Sequence, residues 1–239
     1  MRSLPPQVKL VATLLFVIAV VATRREAMWA FAVHAALLAV VAFAARIRLR
    51  TIARRMLIEV PFLAAAALLP FVAGGDRVAV GPLRLSESGL WGAWAIVAKG
   101  TLGVGAAVVL SATTSVPELL RGLQTMRCPA ILTSIASFMV RYVDIVAGDV
   151  QRMRVARISR ADDPRWFWQA KAVVGTAGAL FVRSYERGER VHLAMLSRGF
   201  DGTMPRLAPS AATGRHWATG LAISLAAIVV ALASWSVWR

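Results

Sequence analysis

The distribution of apolar residues along the chain predicts five membrane-spanning helices. A helix that crosses a bilayer requires about 20 mostly apolar residues. Five segments approach this requirement: Val8–Thr23, Ala27–Ala45, Met56–Ala73, Leu90–Thr113 and Trp217–Trp238. The first of them is short, and two interpretations stay open for it. It is either one half of a hairpin of two membrane helices or a secretory signal peptide.

The region between the fourth and fifth spans has a different pattern. Apolar residues recur there at helical spacing and predict three amphipathic helices: Val116–Met126, a second from Ala130 to Arg160, and a third from about Arg165 to Gly199. The sequence Asp162-Asp163-Pro164 separates the last two as a turn. The expected fold is an all-α integral membrane protein, with transmembrane helices in residues 1–113, amphipathic helices in 114–215 and a final span in 216–239.

Charge adds an orientation to this pattern. The 239 residues are 58% hydrophobic and only 17% charged, yet the net charge is +16. A disordered basic tail would be poor in apolar residues, and a soluble nucleic-acid-binding protein has no need of long uncharged runs. Five arginines lie between Arg46 and Arg55, and residues 114–215 contain 15 Lys and Arg. Since positive loops stay inside, the N-terminus and residues 114–215 are predicted to be cytoplasmic in a multi-pass protein of the cell membrane.

Candidate catalytic and metal-binding residues are scarce. The chain has one cysteine, Cys128, and three histidines, too few for a disulfide framework or a dedicated metal centre. None of its three lysines precedes Ser or Thr, which excludes a Gly-Lys-Ser/Thr phosphate loop. Glu59 and Lys99 lie in predicted spans, either paired with each other or close to an interface. His34 is expected to be a helix-packing hydrogen-bonding group rather than a metal ligand.

A sequence repeat lies within the amphipathic region. Residues 152–163 (RMRVARISRADD) and 190–201 (RVHLAMLSRGFD) match at an offset of 38, with five identities in twelve positions. Each copy ends a predicted helix with a small residue, an arginine and a second small residue. These tripeptides are Ser159-Arg160-Ala161 and Ser197-Arg198-Gly199.

Two explanations compete for the repeated arginines. An arginine at a helix C-terminus complements the helix dipole, an effect of about 0.3–1 kcal/mol. That effect explains one arginine per helix but not the recurrence of the surrounding residues. A repeated tip is expected where a single chain binds two copies, or two close relatives, of one partner. Matched supporting positions are Arg152 with Arg190 and Ala156 with Ala194.

The chain resembles the transmembrane T component of energy-coupling factor (ECF) transporters, the EcfT/CbiQ family, and most closely its cobalt-type CbiQ branch. The segments that carry the resemblance are Leu4–Leu10, Pro61–Phe71, Lys99–Gly103, Ala112–Arg121, Ser137–Tyr142 and Phe181–Asp201. The last of them, FVRSYERGERVHLAMLSRGFD, is the longest and most specific. Pro5 replaces the usual Asp of the family's entry motif, and Ala161 stands where the first tip often has Gly.

The resemblance implies a role for each tip. In that family two cytoplasmic coupling helices end in small-Arg-small tripeptides, and each tripeptide docks on one ATP-binding-cassette subunit. By resemblance, Arg160 and Arg198 are the docking arginines. The chain itself would be a non-catalytic permease subunit without a cofactor. The partner ATPases would bind ATP, and a separate membrane subunit (the S component) would bind the substrate.

The implied cargo is cobalt or nickel, with a link to cobalamin biosynthesis, and a vitamin importer such as a biotin system is the alternative. Three other classes were weighed from the residues. A stand-alone secondary transporter would show two similar membrane halves. A membrane enzyme would show clustered catalytic side chains on its spans, and a membrane-anchored nucleic-acid binder would show a recognisable binding motif. The sequence has none of these features.

Overall fold

The structure, a computed structural model, describes residues 4–74, 77–80, 83–161, 170–202 and 212–236. Within these ranges the chain is almost entirely helical. Its helices are α1 (Pro6–Ala22), α2 (Met28–Ala44), α3 (Leu49–Met56), α4 (Val60–Val72), α5 (Glu87–Thr113), α6 (Val116–Thr125), α7 (Ala130–Ile158), α8 (Ala170–Leu196) and α9 (Gly214–Ser236). A single 3-10 turn, Leu57–Glu59, joins α3 to α4. The strands β1 (Arg77–Val80) and β2 (Leu83–Ser86) form one short antiparallel hairpin.

The five predicted spans correspond to α1, α2, α4, α5 and α9. Two elements were not predicted. The basic helix α3 precedes the third span, because arginine is a good helix former although it adds nothing to an apolar pattern. The β-hairpin occupies the predicted loop between the third and fourth spans. It leads into α5, where the Ser86 hydroxyl caps the helix by accepting a hydrogen bond from the Gly89 amide at 3.3 Å.

Four helical segments of the described residues are long and apolar enough to cross a membrane: 50–72, 87–113, 130–158 and 214–236. The apolar helices α1 and α2 are shorter, at 17 residues each. The segment 130–158, which is α7, lies in the region that the charge pattern assigns to the cytoplasmic surface. Its apolar residues lie mainly in its first half, whereas its second half carries the arginines of the repeat.

The chain divides into two compact units, residues 1–122 with 210–239, and residues 123–209. In the first unit α1 packs against α9 and α5, and α4 packs against α5. A core cluster joins four of the helices and contains Phe16, Ala19, Val20, Phe31, Leu102, Ala106, Ala227 and Ala231. The first predicted span, α1, contributes three of these side chains to the core.

His34 connects two helices of this core. Its side chain is fully buried, and its ring nitrogens lie 2.6 Å from the Ala30 carbonyl oxygen and 3.3 Å from the Ala227 carbonyl oxygen. The ring also meets Phe16 edge-on, with centroids 5.9 Å apart. No group of three or more His, Cys, Asp or Glu side chains suited to a metal ion occurs in the described part of the chain. The burial of the ring and its contacts with the Ala30 and Ala227 carbonyl oxygens agree with the expectation of a helix-packing, hydrogen-bonding histidine.

Cations mark one end of the first unit. The Lys9 ammonium donates to the Thr113 carbonyl oxygen at 3.0 Å, and the Arg55 guanidinium donates to the Ser111 hydroxyl at 2.7 Å. Both contacts fall at the C-terminal end of α5, where carbonyl groups lack helical partners and the dipole favours positive charge. The start of α1, the basic helix α3 and the end of α5 therefore lie at the same end.

Glu59 and Lys99 do not pair with each other, contrary to one of the two expectations. Lys99 donates to the Val21 carbonyl oxygen at 2.7 Å. Glu59 is 4% exposed and accepts a hydrogen bond from the Thr101 hydroxyl at 3.0 Å. The two side chains diverge because residues 99 and 101 lie on different faces of α5: Glu59 lies against Gly100 and Thr101, whereas Lys99 reaches α1.

The outer surface of the first unit is strongly apolar. Large hydrophobic side chains such as Val40, Phe43, Phe62 and Val72 are 60%, 87%, 66% and 81% exposed. A water-soluble protein rarely exposes contiguous apolar patches of this kind. Together with the apolar helices, this surface is that of an all-α integral membrane protein.

Candidate functional site: two arginine-tipped helices

The first tip follows the end of α7. The Ser159 amide donates to the Val155 carbonyl oxygen four residues back, at 3.0 Å. The next two amides, of Arg160 and Ala161, instead donate to carbonyl oxygens three residues back, also at 3.0 Å. The last turn is therefore tightened, as helix ends often are. Ala161 has a φ of 58° and ends the helix in the left-handed region.

The second tip, after α8, repeats this geometry. The Ser197 amide donates four residues back to Leu193, whereas the amides of Arg198 and Gly199 donate three residues back, all at 3.0 Å. Gly199 has a φ of 80°, the conformation for which glycine is preferred. The predicted helix stop at Gly199 is therefore present in the structure.

Serine and alanine play the same part in both tips. The Ser159 hydroxyl donates to the Ala156 carbonyl oxygen and the Ser197 hydroxyl to the Ala194 carbonyl oxygen, each at 3.0 Å. Each bond occupies a carbonyl group of the last helical turn, which otherwise lacks a full set of partners. The supporting alanines thus act through their backbone, and their small side chains leave the tip uncovered.

The arginines themselves point away from the fold. All six residues of the two tripeptides are exposed. Apart from their backbone amides, neither Arg160 nor Arg198 forms a hydrogen bond or ion pair with another residue of the described ranges, so both guanidinium groups are unpaired there. The pattern of exposure also repeats at the offset of 38. Within residues 152–161 and 190–199, the partly covered residues are Met153 with its equivalent Val191 and Arg157 with its equivalent Met195.

The two supporting arginines, Arg152 and Arg190, each pair with an acidic residue on their own helix. Arg152 is 71% exposed and pairs with Asp149 one turn earlier on α7. Arg190 is 69% exposed and lies 3.8 Å from Glu186 on α8. Both partners of the Arg190–Glu186 pair are exposed, and such pairs contribute little stability, typically below about 1 kcal/mol. The side chains of Arg152 and Arg190 are largely open to solvent, about two helical turns before the tips.

The contact between α7 and α8 was missed at the sequence level. The Arg187 guanidinium donates to Asp149 Oδ2 at 2.7 Å, and the Asp149 side chain is only 12% exposed. The Arg157 guanidinium reaches the Thr176 hydroxyl at 3.5 Å. One signal for the first pair was available, because Asp149 and Arg187 are 38 residues apart, the offset of the repeat.

These contacts make the two helices antiparallel. Asp149 contacts Arg187, and Arg157 contacts Thr176. The step from the first contact to the second runs toward the C-terminus of α7 but toward the N-terminus of α8. The helices touch over a short stretch and so cross at an angle. The two tips consequently lie on opposite sides of the crossing.

A cavity of about 330 Å³ opens beside the crossing. Its lining includes Phe138 and Tyr142 of α7 and Ser184, Arg187 and Met195 of α8. Arg187 Nη1 is buried and has no hydrogen-bond partner among the described residues. Such an unsatisfied donor is costly unless another group reaches it.

Both helices also expose large apolar side chains. These include Ile131, Ile135, Met139 and Val143 on α7, and Val174, Phe181 and Tyr185 on α8.

The six predicted tip residues and the four supporting residues are all described. The predicted Asp162-Asp163-Pro164 turn and the predicted start of the third helix at Arg165 lie outside the described residues, and α8 is described from Ala170.

The sequence of the chain matches a known protein family. The family model CbiQ, described as "Cobalt transport protein", matches residues 1–208. The cobalt transport protein CbiQ of Rhodobacter capsulatus is 29% identical over 235 residues, which cover 80% of this chain and 95% of that protein. The energy-coupling factor transporter transmembrane protein EcfT of Thermanaerovibrio acidaminovorans is 28% identical, over 86% of this chain and 80% of its own length.

A putative fused cobalt transport protein CbiMQ of Methanocorpusculum labreanum is 26% identical over 59% of this chain. The match spans only 24% of that longer relative. Because the family model covers most of the sequence, the chain belongs to the CbiQ cobalt transport protein family and is a transmembrane component of a transporter.

Proposed function

We propose that this chain is the coupling subunit of an ECF-type importer. In this role it transmits the ATP-driven motion of two ATPase subunits to a substrate-binding membrane subunit. The observation that carries the proposal is the pair of tips around Arg160 and Arg198. They share one hydrogen-bond pattern, one exposure pattern and one arrangement at the end of a helix.

Two equivalent tips on one chain match a partner complex that contains two equivalent subunits. Two identical or closely related ATPase subunits present two equivalent grooves, and each tip inserts its arginine into one of them. Arginine suits such a groove because its planar guanidinium meets carboxylate or carbonyl oxygens in a fixed geometry. The short side chains of Ser159, Ala161, Ser197 and Gly199 let the arginine project beyond its neighbours.

The remaining parts have complementary roles. The first unit anchors the chain in the bilayer through its apolar surface, with the N-terminus and the arginine-tipped helices at the cytoplasmic side. The exposed apolar faces of α7 and α8 form the platform for the substrate-binding subunit. The chain is non-catalytic and binds no cofactor, since ATP is bound and hydrolysed by its partners.

The cargo of the complete importer is proposed to be cobalt or nickel. The family description and the name of the Rhodobacter relative support a metal ion. The name EcfT of another relative specifies no cargo, so a vitamin importer is the alternative. Uptake of radioactive cobalt by cells that express the complete gene cluster tests the cargo, with labelled nickel and biotin as competing substrates.

Co-purification tests the docking role. The chain is expressed together with ATP-binding-cassette subunits from the same genome and purified in mild detergent. We expect the wild type to retain ATPase and the Arg160→Glu/Arg198→Glu variant to lose it. The matched control is Arg141→Glu/Arg183→Glu, which changes the charge equally on the same two helices but at exposed positions outside both copies of the repeat.

The outcomes separate two classes of protein. Loss of ATPase from the tip variant but not from the control, with both variants folded and monodisperse, supports the coupling subunit. If the tip variant and the wild type retain equal amounts, the docking model is wrong. A wild type that retains no ATPase but transports substrate alone is instead a secondary transporter.

A further inference from the structure

The offset of 38 residues appears twice in this protein, once in sequence and once in space. In sequence it relates the two copies of the repeat. In space it separates Asp149 from Arg187, the two residues that form the ion pair between α7 and α8 at 2.7 Å. At a two-fold axis a residue contacts its own equivalent in the other copy. The ion pair, called here the crossing pair, has this property.

Contacts on either side of the crossing pair obey the same relation. On one side Arg157 of α7 reaches Thr176 of α8. Adding 38 to Arg157 gives Met195, and subtracting 38 from Thr176 gives Phe138. Phe138 and Met195 face the same cavity between α7 and α8 on the other side of the crossing pair. This placement of residues on both sides follows from the antiparallel packing and agrees with a two-fold axis at the crossing pair.

The distances from the crossing pair to the tips are equal. Arg160 lies eleven residues after Asp149, and Arg198 lies eleven residues after Arg187. At a rise of 1.5 Å per residue, each tip is about 16 Å along its helix from the crossing pair. Because the helices are antiparallel, the tips point to opposite sides.

We infer that α7 and α8 form an internally duplicated pair with an approximate two-fold axis at the crossing pair. Asp149 and Arg187 are positioning residues that set the crossing and thereby the separation of the two tips. This inference deepens the proposed function, because an internal two-fold lets one chain present both arginines equivalently to a two-fold pair of ATPase subunits. The crossing pair acts through geometry and does not touch the ATPases.

The crossing pair is partly shielded from solvent, which strengthens the attraction between its two charges. The Asp149 carboxylate is 12% exposed and the Arg187 side chain is 30% exposed. Removing one partner from a covered ion pair leaves the other charge uncompensated, which is more costly than the loss of an exposed pair. The second guanidinium bonded to Asp149, that of Arg152, belongs to α7 itself and cannot fix the angle to α8.

The separation of the tips can be measured directly in the full chain without ATPases. Spin labels are attached at Ile158→Cys and Leu196→Cys, equivalent positions that are both 48% exposed, in a Cys128→Ser background. Each label lies nine residues beyond the crossing pair, or about 13 Å along its helix. Double electron–electron resonance in lipid nanodiscs then reports the distance between them.

Three proteins are compared, and all carry Arg152→Gln because Arg152 would oppose an arginine at position 149. The reference protein is expected to give one narrow distance. Asp149→Asn is expected to lose that narrow maximum, and the exchange Asp149→Arg/Arg187→Asp is expected to restore it. An unchanged distance in Asp149→Asn, or no restoration by the exchange in a helical and monodisperse protein, overturns the inference.

A second readout separates positioning from docking. Asp149→Asn keeps both tip arginines, and we expect it to retain less ATPase than the wild type as its tip distance broadens. If the distance broadens while ATPase retention stays equal, the positioning role is wrong. If Arg160→Glu/Arg198→Glu retains ATPase, the proposed function fails, while the distance measurement still tests the internal two-fold.

Discussion

Ala161 and Gly199 occupy equivalent places at the ends of α7 and α8, and both have a positive φ, of 58° and 80°. The same backbone conformation is therefore formed by alanine in one tip and glycine in the other. In the left-handed region an L-residue with a Cβ is strained by roughly 1–2 kcal/mol, whereas glycine is not. The two tips have the same shape but unequal local strain.

Glycine at position 161 should stabilise the first tip, and alanine at position 199 should destabilise the second. Gly199→Ala meets no atom within 4 Å of the new Cβ, so its cost is conformational and about 1 kcal/mol. Ala161→Gly should stabilise the first tip by a similar or smaller amount. Hydrogen exchange of the amides at positions 160–161 and 198–199 measures both changes. Slower exchange in Gly199→Ala would contradict the prediction.

The contact between α1 and α9 should not tolerate a side chain at Gly220. A Cβ built there would overlap with Val8 Cγ1. Overpacking of this kind costs about 1–3 kcal/mol, so Gly220→Ala should lower the free energy of unfolding, measured by SDS titration in mixed micelles. Gly103→Ala is the matched control, since nothing lies within 4 Å of its Cβ. Equal stability of the two variants would show that α1 can move away from α9.

His34 should contribute to the packing of α2 against α9. Replacing it in His34→Leu removes the ring nitrogens that face Ala30 and Ala227 and the edge-on contact with Phe16. Hydrogen bonds between membrane helices contribute about 0.6 kcal/mol on average. We expect a loss of about 1–2 kcal/mol with the added loss of packing. A variant as stable as the wild type in the same SDS titration would contradict this role.

Glu118 should make the start of α6 sensitive to acid. Its carboxylate accepts a hydrogen bond from the Ser115 amide at 2.9 Å, and this bond lowers the pKa of Glu118 below its ordinary value. Ser115 and Glu118 thus form half of a capping box. A depressed folded-state pKa stabilises the helix above the unfolded-state pKa, and the contribution is lost as pH falls through the folded-state pKa.

The comparison that isolates this effect is the wild type against Glu118→Gln. Thermal stability is measured from neutral pH down to about pH 3.5, below the ordinary pKa of a glutamate. The wild-type advantage is expected near neutral pH and should shrink on acidification. An advantage that is constant across this range would show that the carboxylate charge is not involved.

Helix positions could be predicted because the membrane imposes long apolar runs, and the repeat was visible because Arg160 and Arg198 share their neighbours. Pairings between distant residues could not be predicted in the same way. The Lys99 side chain could reach several acceptors, and only the packing of α1 on α5 selects the Val21 carbonyl oxygen. The partner of Asp149 likewise depends on where α7 and α8 cross, which hydrophobic periodicity does not specify.

The helix segments that run from the Asp149–Arg187 contact to the two tips, called arms here, are equal in length. This equality has a mechanical consequence. With arms of about 16 Å, a change of one degree in the angle between α7 and α8 moves a tip by about 0.3 Å relative to the other helix. Equal arms convert that rotation into equal displacements at both tips. Force applied symmetrically at the two arginines therefore changes the angle between α7 and α8 without displacing the point at which the helices cross.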